Sequence, residues 1–171
     1  KVHFLFDEKQ TEKIAMSTVP AVARPASTVI LVAPHQFFSK TSANNPFKSN
    51  YRIFMVKRSY ESKFMSGAYV FPGGAVEKDV DSSSAFFTNN NKYNDQMFRV
   101  CAVREAFEES GIAMFKNIRN YGELQQWRQK IHHKADEMLH FCKEEQCEPD
   151  VDSLIPFAHW ITPLQESRRT F

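Results

Sequence analysis

One nine-residue stretch constrains this chain more than any other: Arg104-Glu105-Ala106-Phe107-Glu108-Glu109-Ser110-Gly111-Ile112. Its pattern predicts a helix over residues 95–110, stopped by Gly111 in the C′ position. At about 100° per residue, Glu105, Glu108 and Glu109 fall within an arc of roughly 100°. Ala102 and Ala106 lie one turn apart and are small, as close packing against a sheet requires. The three carboxylates repel one another, at a cost of about 0.2–0.5 kcal/mol per pair. They also sit toward the helix C-terminus, where the macrodipole disfavours negative charge. A divalent cation removes both penalties. Hard oxygen donors select Mg²⁺ or Mn²⁺ over softer metals. A metal held by few carboxylates keeps waters and open positions, which is what hydrolysis of a phosphoanhydride needs. The competing reading is a solvated acidic helix face with no ligand. Upstream, Phe71-Pro72-Gly73-Gly74 reads as a turn where backbone can come close to a metal or phosphate.

Elements before and after this helix alternate. Residues 1–26, with Pro20 and Pro25, read as an N-terminal arm, and a single domain is expected over 27–171. Residues 27–33 and 51–57 are apolar and β-branched enough for two strands, separated by a Pro- and Asn-rich loop over 34–50. Residues 68–71 predict a third strand, leading into the glycine turn. The Asp-, Ser- and Asn-rich residues 79–95 read as an irregular insertion. A short strand is expected over 112–115. Leu124, Trp127, Ile131, Ala135, Met138 and Cys142 recur at steps of three and four and predict one helix over 123–143. Pro149 bounds a loop, and residues 154–161 read as a final strand. Hairpin-like spacings mix with crossovers, so a mixed sheet flanked by helices is expected.

Composition narrows the partners. Twenty-two Lys and Arg against 20 Asp and Glu give a formal charge of +2, so bulk charge makes no case for nucleic acid or an anionic membrane. No apolar run approaches the ~18 residues that span a bilayer. Three cysteines form no framework and there is no Asn-x-Ser/Thr sequon, which points to a reducing, intracellular compartment.

Together, the glycine turn and the Arg-Glu-x-x-Glu-Glu-x-Gly-apolar helix resemble the signature of the Nudix hydrolases. Phe54-Met55-Val56-Lys57-Arg58-Ser59, Lys63, Gly67 and Phe71-Pro72-Gly73-Gly74 are similar in spacing to the coenzyme A motif of Nudix coenzyme A diphosphatases, with Lys63 where Arg is typical. The stretch from Phe64 to Gly74, the insertion before Arg104, Trp127, His132-His133 and His159-Trp160-Ile161-Thr162-Pro163 resemble the Nudix motif 19 type. That subgroup comprises acyl-coenzyme A diphosphatases of peroxisomes and mitochondria. The likeness runs over residues 26–169.

The resemblance implies a Nudix-type α/β/α sandwich with a mixed sheet. It implies hydrolysis of the pyrophosphate of coenzyme A or acyl-coenzyme A, giving 3′,5′-ADP and a phosphopantetheine product. Glu105, Glu108 and Glu109, with the Gly74 carbonyl, would hold Mg²⁺ or Mn²⁺. Glu105 or Glu108 would act on the attacking water, and Arg104 would orient the carboxylates. Arg58, Lys63, Gly67 and Gly73 would contact the substrate. A small nucleoside diphosphate derivative is the expected partner, without nucleic acid or membrane, and oligomeric state stays open. A peroxisome or mitochondrion is the implied location, with the cytosol as the other option.

Two departures stand out. The signature Glu after the second glycine falls on Val80, and Arg104 follows at a longer interval than in the simple signature. Glu77, Asp79 and Asp81 remain as candidates for that acidic role. After Pro163 the subgroup continues through Arg-Arg-aromatic-Asp-Thr into further elements, whereas this chain reads Arg168-Arg169-Thr170-Phe171. The C-terminal part of the fold is therefore expected to be incomplete.

Other readings compete. The same chemistry could serve ADP-ribose or a nucleotide sugar. A non-catalytic binding module is a second option, although a module freed from turnover has no physical need for repelling carboxylates. The 123–143 helix could serve a protein partner. His132, His133, His140, Cys142 and Cys147 lack paired zinc spacing. No Gly-x-Ser-x-Gly elbow is present, and Cys101 reads as a small core residue. Phe37-Phe38 and Phe86-Phe87 read as core or loop packing before an acyl channel.

Overall fold

The computed structural model describes residues 24–34, 51–62, 65–86 and 93–160 of the chain. Eight short strands are β1 (Ala26–Thr28), β2 (Val32–Pro34), β3 (Tyr51–Ile53), β4 (Val56–Lys57), β5 (Tyr69–Val70), β6 (Gly73–Ala75), β7 (Phe115–Lys116) and β8 (Glu148–Pro149). Four helices are α1 (Lys78–Asp81), α2 (Gln96–Ser110), α3 (Leu124–His133) and α4 (Glu137–Glu145). The strands pair as β1–β6, β2–β3, β4–β5 and β7–β8, each antiparallel. Among the described residues there is no parallel ladder.

The two long strands expected over 27–33 and 51–57 each divide, because each half takes a different partner. The first half of 26–34 pairs with β6 and the second with β3. The break is bridged by Val29 N–H donating to Pro72 O at 2.9 Å and Phe54 N–H donating to Leu31 O at 3.0 Å. Likewise 51–57 leaves β2 at Ile53 and joins β5 at Val56. β-Branched composition records an extended chain, but not which neighbour each part pairs with.

α2 is buried on two sides, which is why small and large residues alternate along it. Ala102 and Ala106 meet Val29 on the β1 side. Val100, Val103 and Phe107 face a second core with Trp127 and Ile131 of α3 and Met138 and Phe141 of α4. Phe107 stacks on Phe141 with centroids 5.8 Å apart, and Phe115 meets both rings edge-on at 5.6 and 5.0 Å. Such aromatic pairs contribute about 0.5–1.5 kcal/mol each beyond their burial. The helix stops at Gly111, whose φ of 76° is left-handed backbone that a side chain would strain. Cys101, Cys142 and Cys147 are buried free thiols.

Five expectations need correction. Gly73-Gly74 is strand, not turn, and pairs with Thr28 and Ser27. Residues 78–86 hold α1 and a 3₁₀ turn over Ser84–Phe86, so the first part of the insertion is ordered on the core through Val80 and Phe86. The helix expected over 123–143 is two helices. Lys134 is extended (φ −153°, ψ 106°) and caps α3, and its ammonium pairs with Asp136 at 2.8 Å as α4 begins. Basic residues close α3 and acidic residues open α4, each suited to its macrodipole end. The apolar spacing hides this break because Ala135 and Met138 still reach the same core. Finally, residues 154–160 form no strand: they follow a 3₁₀ turn (Val151–Ser153), and Ile155, Phe157 and Trp160 are more than 80% exposed. Their composition suits a strand, but no partner lies beside them among the described residues. The short strand expected over 112–115 begins at Phe115 instead. Most of the arm, the 34–50 loop and Phe37, Phe38 and Phe87 fall outside the described residues, and Ala26 is already paired in β1.

Candidate active site

The carboxylate row is organised by one buried arginine. Arg104, 2% exposed, donates from Nε to Asp81 Oδ1 at 2.9 Å and from Nη2 to Asp81 Oδ2 at 3.0 Å. Its Nη1 donates to Glu105 Oε1 and to Glu108 Oε1, both at 2.8 Å. Nη2 also reaches Ala75 O at 3.0 Å, tying the guanidinium to β6. Asp81 is fully buried and takes a further bond from Glu77 N–H at 2.8 Å. Of Glu77, Asp79 and Asp81, Asp81 is thus the carboxylate that pairs with Arg104; the other two are exposed. It does so because α1 turns its last residue inward beside Val80.

The glycines set how close β6 comes to this row. A Cβ on Gly74 would lie 2.5 Å from the Glu105 carboxyl carbon. Gly73 N–H donates to Glu109 Oε2 at 3.1 Å. The Gly74 carbonyl faces Cys101, with Sγ 3.6 Å away. The close approach expected of these glycines is therefore to α2 and its carboxylates.

Burial raises the pKa of Glu105, against the pull of Arg104 and with the push of Glu108. Burial likewise raises Glu108 and Glu109, the latter against its bond from Gly73 N–H. Burial also pushes the Cys101 thiol up, so it carries no thiolate near neutral pH. Three carboxylates share one guanidinium and a fourth stands beside them, a surplus of negative charge in a partly dry setting. That donor set suits a hard divalent cation. Among the described residues, Glu105 and Glu108 each accept from Arg104 through Oε1, and Glu109 accepts from Gly73 N–H through Oε2. Among those residues no three ligating side chains are gathered tightly enough to hold a metal as they stand. Arg104 and Gly73 draw one oxygen of each glutamate aside.

Beside the row lies a cleft of about 610 Å³, within the range of small-molecule sites. Glu108 and Glu109 form one edge, Lys57 and Arg58 of the β4 end a second, and Gln129 and His132 of α3 a third. Arg58 also donates to Ser62 Oγ at 3.0 Å, and Lys57 to the Tyr60 hydroxyl at 2.8 Å. Of the residues expected to contact substrate, Arg58 lines the cleft and Gly73 borders the carboxylate row. Gly67 is not among the lining residues. Its φ of 70° and the Tyr60 ring packed where a Cβ would stand explain it as part of the β4–β5 connection. Lys63 lies outside the described residues. The sequence reading missed Asp81 as the specific partner and α3 as a wall. Arg128 is the residue that joins the walls: its Nε and Nη2 donate to the Glu108 and Glu109 carbonyls, both at 2.9 Å, at the end of α2. An alternating polar face at 125, 129 and 132 opposite Trp127 and Ile131 was the available signal.

Comparison with known proteins follows this geometry. A family model described as the NUDT19 Nudix domain matches residues 23–92 and 86–171. A protein named acyl-coenzyme A diphosphatase NUDT19 from Xenopus laevis is 28% identical over 163 residues, covering 68% of this chain and 43% of the relative. Its Homo sapiens namesake is 26% identical over 204 residues, covering 89% and 54%. The chain thus spans about half the length of these curated relatives. A crystal structure of a NUDIX hydrolase from Alicyclobacillus acidocaldarius superposes with a TM-score of 0.60 at 19% identity, over 82% of this chain and 62% of that one. That likeness concerns the fold, which is α/β of the Nudix type.

Proposed function

The chain belongs to the NUDT19 Nudix domain family, and from that premise we propose that it is a metal-dependent diphosphatase that hydrolyses the pyrophosphate of coenzyme A or acyl-coenzyme A. The observation that carries the proposal is the carboxylate row of α2: the buried Arg104–Asp81 pair holds Glu105 and Glu108, and Glu108 and Glu109 line a cleft edged by Lys57 and Arg58. The names of the two curated relatives support the coenzyme A branch.

In this reading Glu105, Glu108 and Glu109 would hold Mg²⁺ or Mn²⁺, with the Gly74 carbonyl as a further donor, and the bound cation would supply charge neutralisation of the diphosphate and an acidified water. Arg104 fixes the direction of Glu105 and Glu108, and Asp81 fixes Arg104. Glu105 or Glu108 would receive the proton of the attacking water. Arg58, with Lys57, binds the phosphates, and the resemblance gives Lys63 a part in the same contact. Gly73 keeps β6 close to Glu109, and Gly67 shapes the connection that carries Arg58. The products are 3′,5′-ADP and phosphopantetheine or its acyl form. A peroxisomal or mitochondrial location belongs to the same reading. Among the described residues no helix is long and apolar enough to cross a membrane.

The test is cleavage of coenzyme A, acetyl-coenzyme A and ADP-ribose with Mg²⁺, Mn²⁺ or EDTA. Release of 3′,5′-ADP that needs a divalent cation is the expected result. Cleavage of ADP-ribose alone keeps the chemistry and discards the coenzyme A branch. No turnover by the folded protein of any of the three favours a binding module.

A further inference from the structure

The cleft has a wall that the family signature does not include. α3 buries Trp127 and Ile131 in the core and turns Gln125, Gln129 and His132 toward the cleft. These three follow the spacing i, i+4, i+7, one face of a helix. His132 lines the same cleft as Glu108 and Glu109. The wall is held in register with the carboxylates by the two bonds from Arg128 to the end of α2. Its position therefore does not depend on a ligand.

The lining has a definite chemical character. Lys57, Arg58 and Arg128 border it, the α3 wall offers amides and imidazole, and Val56 and Val70 are its apolar members. A diphosphate at Glu108 and Glu109 leaves the cations and the α3 groups facing whatever is attached to one side of it. Of the two halves of coenzyme A, the nucleotide carries a further phosphate, a ribose and a base edge. The pantetheine half carries no further charge to meet these cations, and Val56 and Val70 are the two wholly apolar side chains in the lining.

We infer that the Gln125–Gln129–His132 face of α3 binds the phosphorylated nucleotide half of the substrate, with His132 contacting phosphate, while the pantetheine arm leaves the cleft. This rests on the coenzyme A reading above for the identity of the nucleotide. The wall reads nucleotide phosphorylation, and acyl chain length goes unread there.

The test is calorimetric titration of the Mg²⁺-loaded protein with 3′,5′-ADP and with phosphopantetheine. The parent chain is compared with Gln129→Ala, His132→Ala and Gln126→Ala. Gln129 and His132 are exposed, so melting temperatures stay unchanged. Gln126 is exposed on α3 outside the cleft and serves as the control. The expected result is about a tenfold loss of 3′,5′-ADP affinity in His132→Ala, the size of a lost hydrogen bond to a charged group. A smaller loss is expected in Gln129→Ala and none in Gln126→Ala, with phosphopantetheine unaffected throughout. No binding of 3′,5′-ADP to the parent, equal affinity in parent and variants, or a loss confined to phosphopantetheine would overturn the inference. If coenzyme A is not cleaved while 3′,5′-ADP binding still falls in His132→Ala, the α3 wall stands and the coenzyme A reading fails alone.

Discussion

The two helices that border the cleft hold their polar groups in opposite ways. On α2 Glu105 and Glu108 are partly buried and share one guanidinium, and Gly73 and Gly74 bring β6 against Glu109 and Glu105. On α3 the cleft-facing Gln129 and His132 are exposed, and the helix is anchored by its other face and by Arg128. Direction and charge are therefore shared between residues on α2 and belong to single residues on α3. A substitution on α2 disturbs a network whose members set one another's direction and charge. A substitution on the α3 face removes a contact from water and leaves the core alone.

Glu108→Gln is the sharpest way to separate the two aspects of α2. Turnover is expected to fall about 10²–10⁴-fold, as when an acid–base group is lost. Metal-free stability is expected to hold or rise, because burial already disfavours the Glu108 charge. Kinetics and urea unfolding on the same preparation check both. A large stability loss would place Glu108 with the structural groups instead.

Asp81→Ala leaves the Arg104 charge buried with its best partner gone. Breaking such a pair costs about 3–5 kcal/mol, read from urea unfolding. Arg104→Met should cost a similar amount, and Asp81→Ala combined with Arg104→Met less than the sum of the singles. Full additivity in that cycle would mean that the two residues act independently.

Gly74→Ala forces the new Cβ against Glu105. A loss of about 1–3 kcal/mol is expected from overpacking, together with a fall in turnover as Glu105 is displaced. Wild-type activity in this variant would show that the row tolerates a retreat of β6. Arg128→Ala, which frees two carbonyls at the end of α2, should cost about 1–2 kcal/mol. It should also weaken nucleotide binding, because α3 loses its register.

The pH dependence is the mildest prediction. Glu105, Glu108 and Glu109 have pKa values raised in the folded state. Folded protein therefore holds more protons than unfolded protein, from the ordinary carboxylate range up to the raised values. Stability contributed by the protonated forms is complete below the unfolded pKa and declines as pH rises through this window. Denaturant midpoints of metal-free protein should fall accordingly, and saturating Mg²⁺ should flatten or reverse the trend. A midpoint that rises with pH in EDTA would contradict the burial argument.

The α2 half of this comparison was legible in the sequence because its chemistry is local. Arg104, Glu105, Glu108, Glu109 and Gly111 lie within a little over two turns, so spacing alone sets their shared face. Asp81 was one of three open candidates, since only tertiary packing distinguishes an inward residue on a four-residue helix from its neighbours. The α3 wall went unread because Gln, Arg and His on an exposed face look like ordinary solvation until another element is brought opposite them. Strand composition over 27–33 and 51–57 gave extended chain correctly, while partner exchange depends on contacts far along the chain. The break at Lys134 escaped because the apolar period survives it. Residues 154–160 show the reverse error: strand-like composition without a neighbouring strand.

The most direct test of the central claim is Mn²⁺ binding followed by electron paramagnetic resonance, in the parent chain and in the Glu105→Gln/Glu108→Gln double variant. The account predicts saturable binding in the parent, lost in the variant while its melting temperature holds. Equal binding in both proteins, or none in the folded parent, would contradict the assignment of the α2 carboxylates as the metal site.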